Sequence, residues 1–288
     1  MSTIVVGVDG SDCARTALRF AAGEARLRGS RLLALRIVEV PVAAWPGLAG
    51  MVGVALERAG SELRADVEAE ATDVETTYEV VGGHPAEELV KAARDADLLV
   101  VGSRGLGGFH GLLVGSVSQQ CLQHASCPVA VVRTLPDPPR GRILVGVDGS
   151  PPSVQAFEWA ADEARRRAAT LGIVHAWSAP TWVVAPGPLA PVPAGPLDYE
   201  AARQAAGEVV ARLVANAPPG VSVEPYVEPG TPAGVLLDRS EEADLLVVGS
   251  RGLGGFAGLL LGSVGQQCAH HAACPVVVVH REGKEEGR

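Results

Sequence analysis

Apolar positions along this chain fall into two kinds of run. Short continuous stretches such as Leu98-Leu99-Val100-Val101 and Val129-Ala130-Val131-Val132 sit between longer segments in which apolar residues recur every three to four positions. The short runs predict strands covered on both faces, because a strand with one wet face would alternate. The longer segments predict the amphipathic helices that cover them. In order, the first half predicts a strand Thr3 to Asp9 and a helix from about Ser11 to Arg28 with Ser11 as N-cap. A strand Leu32 to Val38, a helix from roughly Glu57 to Thr72 and a strand Glu75 to Val80 follow. A helix Pro85 to Asp95, a strand Leu98 to Gly102, a helix Ser116 to His124 and a strand Pro128 to Val132 complete the unit. Strands alternating with helices imply right-handed crossovers and a doubly wound parallel sheet. In such sheets ligands settle beyond the carboxyl ends of the strands, where the winding direction switches.

The pattern is then written a second time. Gly7-Val8-Asp9-Gly10-Ser11 recurs as Gly146-Val147-Asp148-Gly149-Ser150, and 30 of the 37 positions from Ala96 to Val132 match Ala243 to Val279. A period near 140 residues is too long for a solenoid, so each copy is read as a full domain. The expected architecture is α/β, two tandem doubly wound five-stranded parallel sheets of Rossmann-like type. The domains are expected at residues 1–135 and 141–280, joined where Pro136, Pro138 and Pro139 stiffen the linker, with a charged, disordered tail at 281–288.

Composition narrows the chemistry. The chain of 288 residues carries 24 Lys+Arg against 33 Asp+Glu, a net charge of -9, and is 47% hydrophobic. With only two lysines, Lys91 and Lys284, it lacks the clustered cations that a nucleic-acid binder uses to displace counterions. Five cysteines, Cys13, Cys121, Cys127, Cys268 and Cys274, are too few for a disulfide framework. A reducing, cytoplasmic setting is expected, because the strand pattern starts at Thr3 with no signal-peptide signature. The uncharged stretches 41–56 and 168–197 are, respectively, short and broken by six prolines, so no membrane span is expected.

The fourth strand of each copy runs into a glycine-rich loop. In the first it reads Gly102-Ser103-Arg104-Gly105-Leu106-Gly107-Gly108-Phe109, with Gly115-Ser116 opening the next helix; Gly249, Ser250, Arg251, Gly252, Gly255, Gly262 and Ser263 repeat it. Glycines let a backbone approach a phosphate chain and turn N–H groups inward, and a helix start adds unpaired N–H donors at the positive end of its dipole. Arg104 and Arg251 are placed to add a bidentate contact. A lone Gly-rich turn is equally a tight strand-to-helix connection; its repetition, facing Asp9 and Asp148, favours a ligand cradle.

The spacing Gly102-x2-Gly105-x9-Gly115-Ser116, coupled to Asp9 at the end of the first strand, resembles the nucleotide-binding signature of the universal stress protein family. Val6 to Ser11, Gly83-His84-Pro85 and His124-Ala125-Ser126-Cys127-Pro128-Val129 also fit that family, and the likeness covers nearly the whole chain. It resembles a tandem, ATP-binding member. That resemblance implies that Asp9 and Asp148, beside Gly7, Val8, Gly146 and Val147, lie at the adenine and ribose end. Val38 would line the adenine pocket, where the second copy has Trp177, an indole able to stack on adenine or fill the space. Val101, Gly102, Ser103, Arg104, Gly105, Gly108, Gly115, Ser116 and Val117 match the phosphate and ribose contacts. So do Val248, Gly249, Ser250, Arg251, Gly252, Gly255, Gly262, Ser263 and Val264. The implied cofactors are ATP and a phosphate-bridging Mg ion. In that family the last strand often pairs across domains, which would make the two copies a pseudo-twofold pair; a homodimer of chains and an unidentified protein partner are also expected.

Asp9 and Asp148 have a second reading as caps of the Asp-Gly-Ser turn. Cys121-x2-His124-x2-Cys127 and its repeat offer three metal ligands and read better as core packing. His84 is expected as an N-cap, Arg165 to Arg167 as a solvated face, and the insertions 48–54 and 183–197 as surface loops or lids. No Walker A loop and no repeated base–nucleophile set is present, so the chain reads as a nucleotide-dependent regulatory module. Weak ATPase or phosphotransferase activity, a cyclic AMP or AMP sensor and a nucleotide-free scaffold are the alternatives.

Overall fold

The computed structural model describes residues 2–39, 49–106, 114–177, 199–253 and 260–280. The first half runs β1 (Thr3–Gly7), α1 (Asp12–Arg28), β2 (Arg31–Val38), α2 (Ala49–Glu70), β3 (Thr76–Gly82), α3 (Pro85–Ala92), β4 (Leu98–Gly102), α4 (Ser116–His124) and β5 (Val129–Val132). The second runs β6 (Arg142–Gly146), α5 (Pro151–Arg167), β7 (Thr170–Trp177), α6 (Tyr199–Ala215), β8 (Val223–Pro229), α7 (Pro232–Ser240), β9 (Leu245–Gly249), α8 (Ser263–His271) and β10 (Val276–Val279). Five strands and four helices per copy match the expectation from periodicity.

The strands form one continuous sheet in the order β3-β2-β1-β4-β5-β10-β9-β6-β7-β8. Every pairing is parallel except β5 with β10, which meet antiparallel with Val131 opposite Val276 and Val129 opposite Val278. The cross-copy pairing expected of the last strands therefore forms inside the chain. It also removes those edges from any pairing between chains. Within each half the winding reverses between β1 and β4, or β6 and β9, so a crevice opens at each of those carboxyl ends.

One sheet face packs α1, α2, α5 and α6, the other α3, α4, α7 and α8. Alternate residues of β1 show why: Ile4 and Val6 join the first core and Val5 the second, all with no exposure. Each such side chain contributes about 1.5–3 kcal/mol.

Helix α2 begins eight residues before the expected Glu57, so residues 49–54 are helix where a Gly-rich loop was expected. Gly50 and Gly53 each cost up to about 1 kcal/mol in a helix. The nucleus is supplied further along, where Ala59, Leu63 and Val67 bury against the sheet, and extension then gains a hydrogen bond per residue.

Where α1 meets α5, Glu24 and Glu163 are buried with Arg28 and Arg167 in a crossed quartet. Arg28 bonds Glu24 at 3.0 Å and Glu163 at 2.5 Å, and Arg167 bonds Glu163 at 2.6 Å and also Glu24. Arg28 lies over the Trp159 ring and Arg167 over that of Phe20. Arg167 is thus not the solvated residue expected from its arginine run, because the pseudo-twofold contact turns it toward the other half. Burial raises the Glu24 carboxyl, with the two arginines pulling it down and Glu163 pushing it up. No helix among the described residues is long and apolar enough to cross a membrane.

Candidate functional site

Strand β1 ends at Gly7, and the chain turns sharply through Asp9 and Gly10 into α1. Asp9 Oδ1 accepts the Ser11 N–H at 2.9 Å, while Ser11 Oγ caps the helix by accepting from Ala14 N at 3.2 Å. The other oxygen, Oδ2, reaches across to the glycine loop and accepts the Leu106 N–H at 2.8 Å. The second half repeats this: Asp148 accepts from Ser150 N at 2.9 Å and from Leu253 N at 2.7 Å. Such bonds to an ionised acceptor are worth about 1.5–3 kcal/mol each. The turn-cap reading of these aspartates thus has a physical basis. Each caps its turn, and each also clamps the loop that faces the crevice.

The clamp explains two of the glycines. A Cβ on Gly105 would stand 2.3 Å from Asp9 Oδ2, and one on Gly252 2.4 Å from Asp148 Oδ2. On Gly102 and Gly249 it would strike the backbone of Cys13 or Pro152 at 2.9 or 2.8 Å, so the strand ends can only approach the helix starts without a side chain. Burial pushes the Asp148 carboxyl up, but hydrogen bonds from Ser150, Leu253 and Ser153 outweigh it and hold the group below its ordinary value.

Helices α4 and α8 begin at Gly115 and Gly262, neither of which supplies a side-chain cap. By contrast α1, α5 and α7 are capped by Ser11, Ser150 and Thr231. Among the described residues the first-turn N–H groups of α4 thus have no side-chain acceptor, and Gly115, Ser116 and Val117 line the crevice. That is the arrangement that receives a phosphate.

The N-terminal crevice encloses about 910 Å³. Of the expected contacts it brings together Gly7, Val8, Asp9, Val38, Val101, Gly102, Arg104, Gly105, Gly115, Ser116 and Val117. It does not include Ser103, whose side chain is buried, bonds Cys13 Sγ at 3.8 Å, and whose N–H and carbonyl serve Val132 and Gly115. Ser250 is buried in the same way, its N–H and carbonyl serving Val279 and Gly262. Strand geometry points both side chains inward, so any contact they make in the crevices would be through the backbone. Gly108 and Gly255 lie outside the described residues, as do His110, the 183–197 insertion and the tail.

The sequence did not single out the opposite wall. Arg36 pairs with Glu62 at 2.7 Å and Arg58 with the same carboxylate at 2.8 Å, and all three line the crevice. The bond from Arg58, and the charge of Arg36, hold Glu62 below the usual carboxylate range. An arginine inside the aliphatic run of β2 and an Arg–Glu pair four apart were the available signals.

In the C-terminal half, Leu63 and Val210, buried alike, align α2 with α6. Arg36, Arg58 and Glu62 then correspond to His175, Ala205 and Val209. Arg36 lies beside Gly10 and Val209 beside Gly149. Trp177, where Val38 stands in the first half, meets Tyr199 edge to face with ring centroids 6.3 Å apart. Burial lowers the His175 pKa, with Asp148 and the Val147 backbone pulling it up. Among the described residues, Arg36 Nη1, His175 Nδ1 and Trp177 Nε1 are buried without a hydrogen-bond partner, all at the ends of β2 and β7. Orphaned donors and acceptors of this kind cost about 1–3 kcal/mol each and fit a site that takes a polar ligand.

Among the described residues no group of His, Cys, Asp or Glu is arranged to hold a metal. Cys121, Cys127, Cys268 and Cys274 are core residues whose thiols burial pushes up to about 12, 11, 12 and 12. His84 stands at the N-cap of α3 but its side chain makes no cap bond, whereas Thr231 accepts from Gly234 N at 3.3 Å.

The universal stress protein family model matches residues 1–133 and again 139–280. A universal stress protein of Mycobacterium tuberculosis strain H37Rv is 38% identical over 293 residues, spanning 96% of this chain and 95% of the relative. One from Mycolicibacterium smegmatis is 35% identical over 291 residues, with 96% of each covered. The fold is shared with a universal stress protein of Archaeoglobus fulgidus at a TM-score of 0.72 and 21% identity, covering 98% of both chains. Two family matches in tandem, one on each five-stranded half of the sheet with its clamped loop, place this chain in the universal stress protein family.

Proposed function

We propose that the chain is a nucleotide-dependent regulatory protein of the stress response, with one adenine-nucleotide site in each crevice and ATP as the ligand. The observation that carries this reading is the aspartate-clamped glycine loop, formed twice and, in the N-terminal crevice, set beside an uncapped helix start. Phosphates would lie on the loop and on the first turn of α4 or α8, with Arg104 or Arg251 alongside. The sugar would lie over Asp9 or Asp148, and the base toward Val38 or Trp177. Among the described residues there is no carboxylate cluster for a cation, so Mg would travel on the phosphates.

Binding without efficient turnover follows from the same geometry. Backbone N–H donors hold ground state and transition state almost equally. The Asp148 carboxyl is held below its ordinary value, which makes it a poor general base, and both oxygens of Asp9 are already engaged by N–H groups. Homodimers, and contacts with the partner that reads nucleotide state, would use surfaces other than β5 and β10. The five free thiols fit a reducing cytoplasm.

Calorimetric titration with ATP–Mg, AMP and cyclic AMP, run beside a phosphate-release assay, tests the reading. It predicts saturable ATP binding with phosphate release no faster than in Asp9→Asn. No binding of any of the three would overturn it, and turnover abolished by Asp9→Asn at unchanged affinity would make the protein an enzyme.

A further inference from the structure

Each last strand ends on a side chain that reaches into the other half. Arg133, directly after β5, donates through Nη2 to the His270 carbonyl on α8. His280, directly after β10, holds the Leu122 carbonyl on α4 through Nε2 at 2.8 Å. Carbonyls of a helix's last turn lack intrahelical partners and carry the negative end of the dipole, so donors and cations are favoured there. The two helices held in this way are those whose other ends, Gly115-Ser116 and Gly262-Ser263, open the proposed phosphate cradles.

The glycine loops hang from the same two strands. Ser103 N–H bonds Val132 O at 2.8 Å and Ser250 N–H bonds Val279 O at 2.9 Å. The loops in turn hold the helix starts, Gly115 N–H to Ser103 O at 2.8 Å and Gly262 N–H to Ser250 O at 2.7 Å. Followed in sequence, the contacts close on themselves. They run from α4 through Ser103, the end of β5 and Arg133 to α8, then through Ser250, the end of β10 and His280 back to α4.

We propose that this closed circuit couples the two crevices, so that nucleotide bound in one raises the affinity of the other. The proposal rests on the nucleotide reading of both sites. Phosphate on the first turn of α4 would fix Gly115 and Ser103, Ser103 the end of β5, and Arg133 the far end of α8. The C-terminal cradle would then have less ordering entropy left to lose when its own ligand arrives. Linkage makes the effect reciprocal, and couplings of this kind are about 5–150-fold.

The test titrates ATP–Mg into the full chain and into the Arg133→Met/His280→Leu double variant, with His280→Gln as the variant that keeps a donor. We expect the native chain to bind two nucleotides with positive cooperativity of at least about fivefold. The double variant should bind two independently, and His280→Gln should stay closer to the native chain. Because a loss of stability in the latch variants would mimic a loss of coupling, hydrogen exchange gives a second readout in Gly252→Val, where only the N-terminal crevice binds. ATP there should slow exchange of the α8 amides, and Arg133→Met added to that background should abolish the slowing. Two nucleotides bound without cooperativity, with no protection of α8, would sink the circuit and leave the nucleotide reading standing. A single nucleotide per native chain would also sink it, and no nucleotide would remove both.

Discussion

The two crevices share a frame and differ in a wall. In both, an aspartate after the first strand clamps the loop after the fourth, at 2.8 Å to Leu106 N in one half and 2.7 Å to Leu253 N in the other. Opposite that loop the N-terminal crevice carries the charged side chains of Arg36, Glu39, Arg58 and Glu62, whereas the C-terminal half has His175, Val209 and Ala205, with Trp177 and Tyr199 beside them. The frame is built from backbone groups and positions where a Cβ cannot fit, which leaves little freedom to change. The wall is built from side chains on β2, β7, α2 and α6, which can change without moving the loop. Two copies of one binding device can therefore hold the same phosphate chain while presenting different surroundings to the rest of the ligand.

The largest effect is expected where the halves meet. Arg28→Met leaves the buried Glu24 to Arg167 alone and Glu163 to Arg167 and the more distant Arg166, and breaking a buried pair in this way costs about 3–5 kcal/mol. Urea unfolding should show that loss; a change under about 1 kcal/mol would mean that the halves do not depend on the quartet. Next come the glycines of the shared frame. Gly105→Val and Gly252→Val drive a side chain into the clamp, and each should weaken nucleotide in its own crevice by roughly 100-fold, about 2.7 kcal/mol. Titration of each variant would show one surviving site.

Smaller effects probe the wall. Arg36→Leu removes a donor whose Nη1 has no partner among the described residues and leaves Glu62 to Arg58 alone. It should cost the N-terminal crevice about tenfold, near 1.4 kcal/mol, and weaken the C-terminal one by no more than the coupling between them transmits. Equal weakening of both would show that the walls are not independent. The smallest effect is on pH dependence. Burial holds His175 below its ordinary value near 6.5, so the unfolded chain takes up a proton there before the folded one does. The stability tied to neutral His175 is present above about pH 6.5 and is lost as pH falls toward the lower folded value. Glu24, raised by burial, acts in the opposite sense, which calls for a comparison between variants. His175→Leu should lose less stability than the native chain between about pH 7.5 and 5.5 in urea titrations.

Most of the fold was legible because burial on both sheet faces writes itself as continuous apolar runs. Leu98 to Val101 is such a run, and β4 forms there with those four side chains buried. The missed boundary was the start of α2, where Gly50 and Gly53 read locally as a loop and the helix is carried by packing further along. The glycine loop was legible from its repetition, but the reason for its glycines was not. In the sequence they point to phosphate approach, whereas Gly102 and Gly105 are first required by Cys13 and Asp9. Ser103 looked like a ligand contact from its place in the motif, and only the strand geometry turns its side chain into the core. Arg36, Glu62 and Arg167 depend on contacts between elements distant in sequence, which no local pattern records.

The most direct test of the central claim, that each clamped loop holds one nucleotide, is a count of what the protein carries. Native chain, Gly105→Val, Gly252→Val and the double variant would be purified gently and denatured, and the released nucleotide identified and quantified by mass spectrometry. The account predicts two adenine nucleotides per native chain, one from each single variant and none from the double. Native protein that releases none and takes up none from added ATP–Mg, or single variants that still release two, would contradict it.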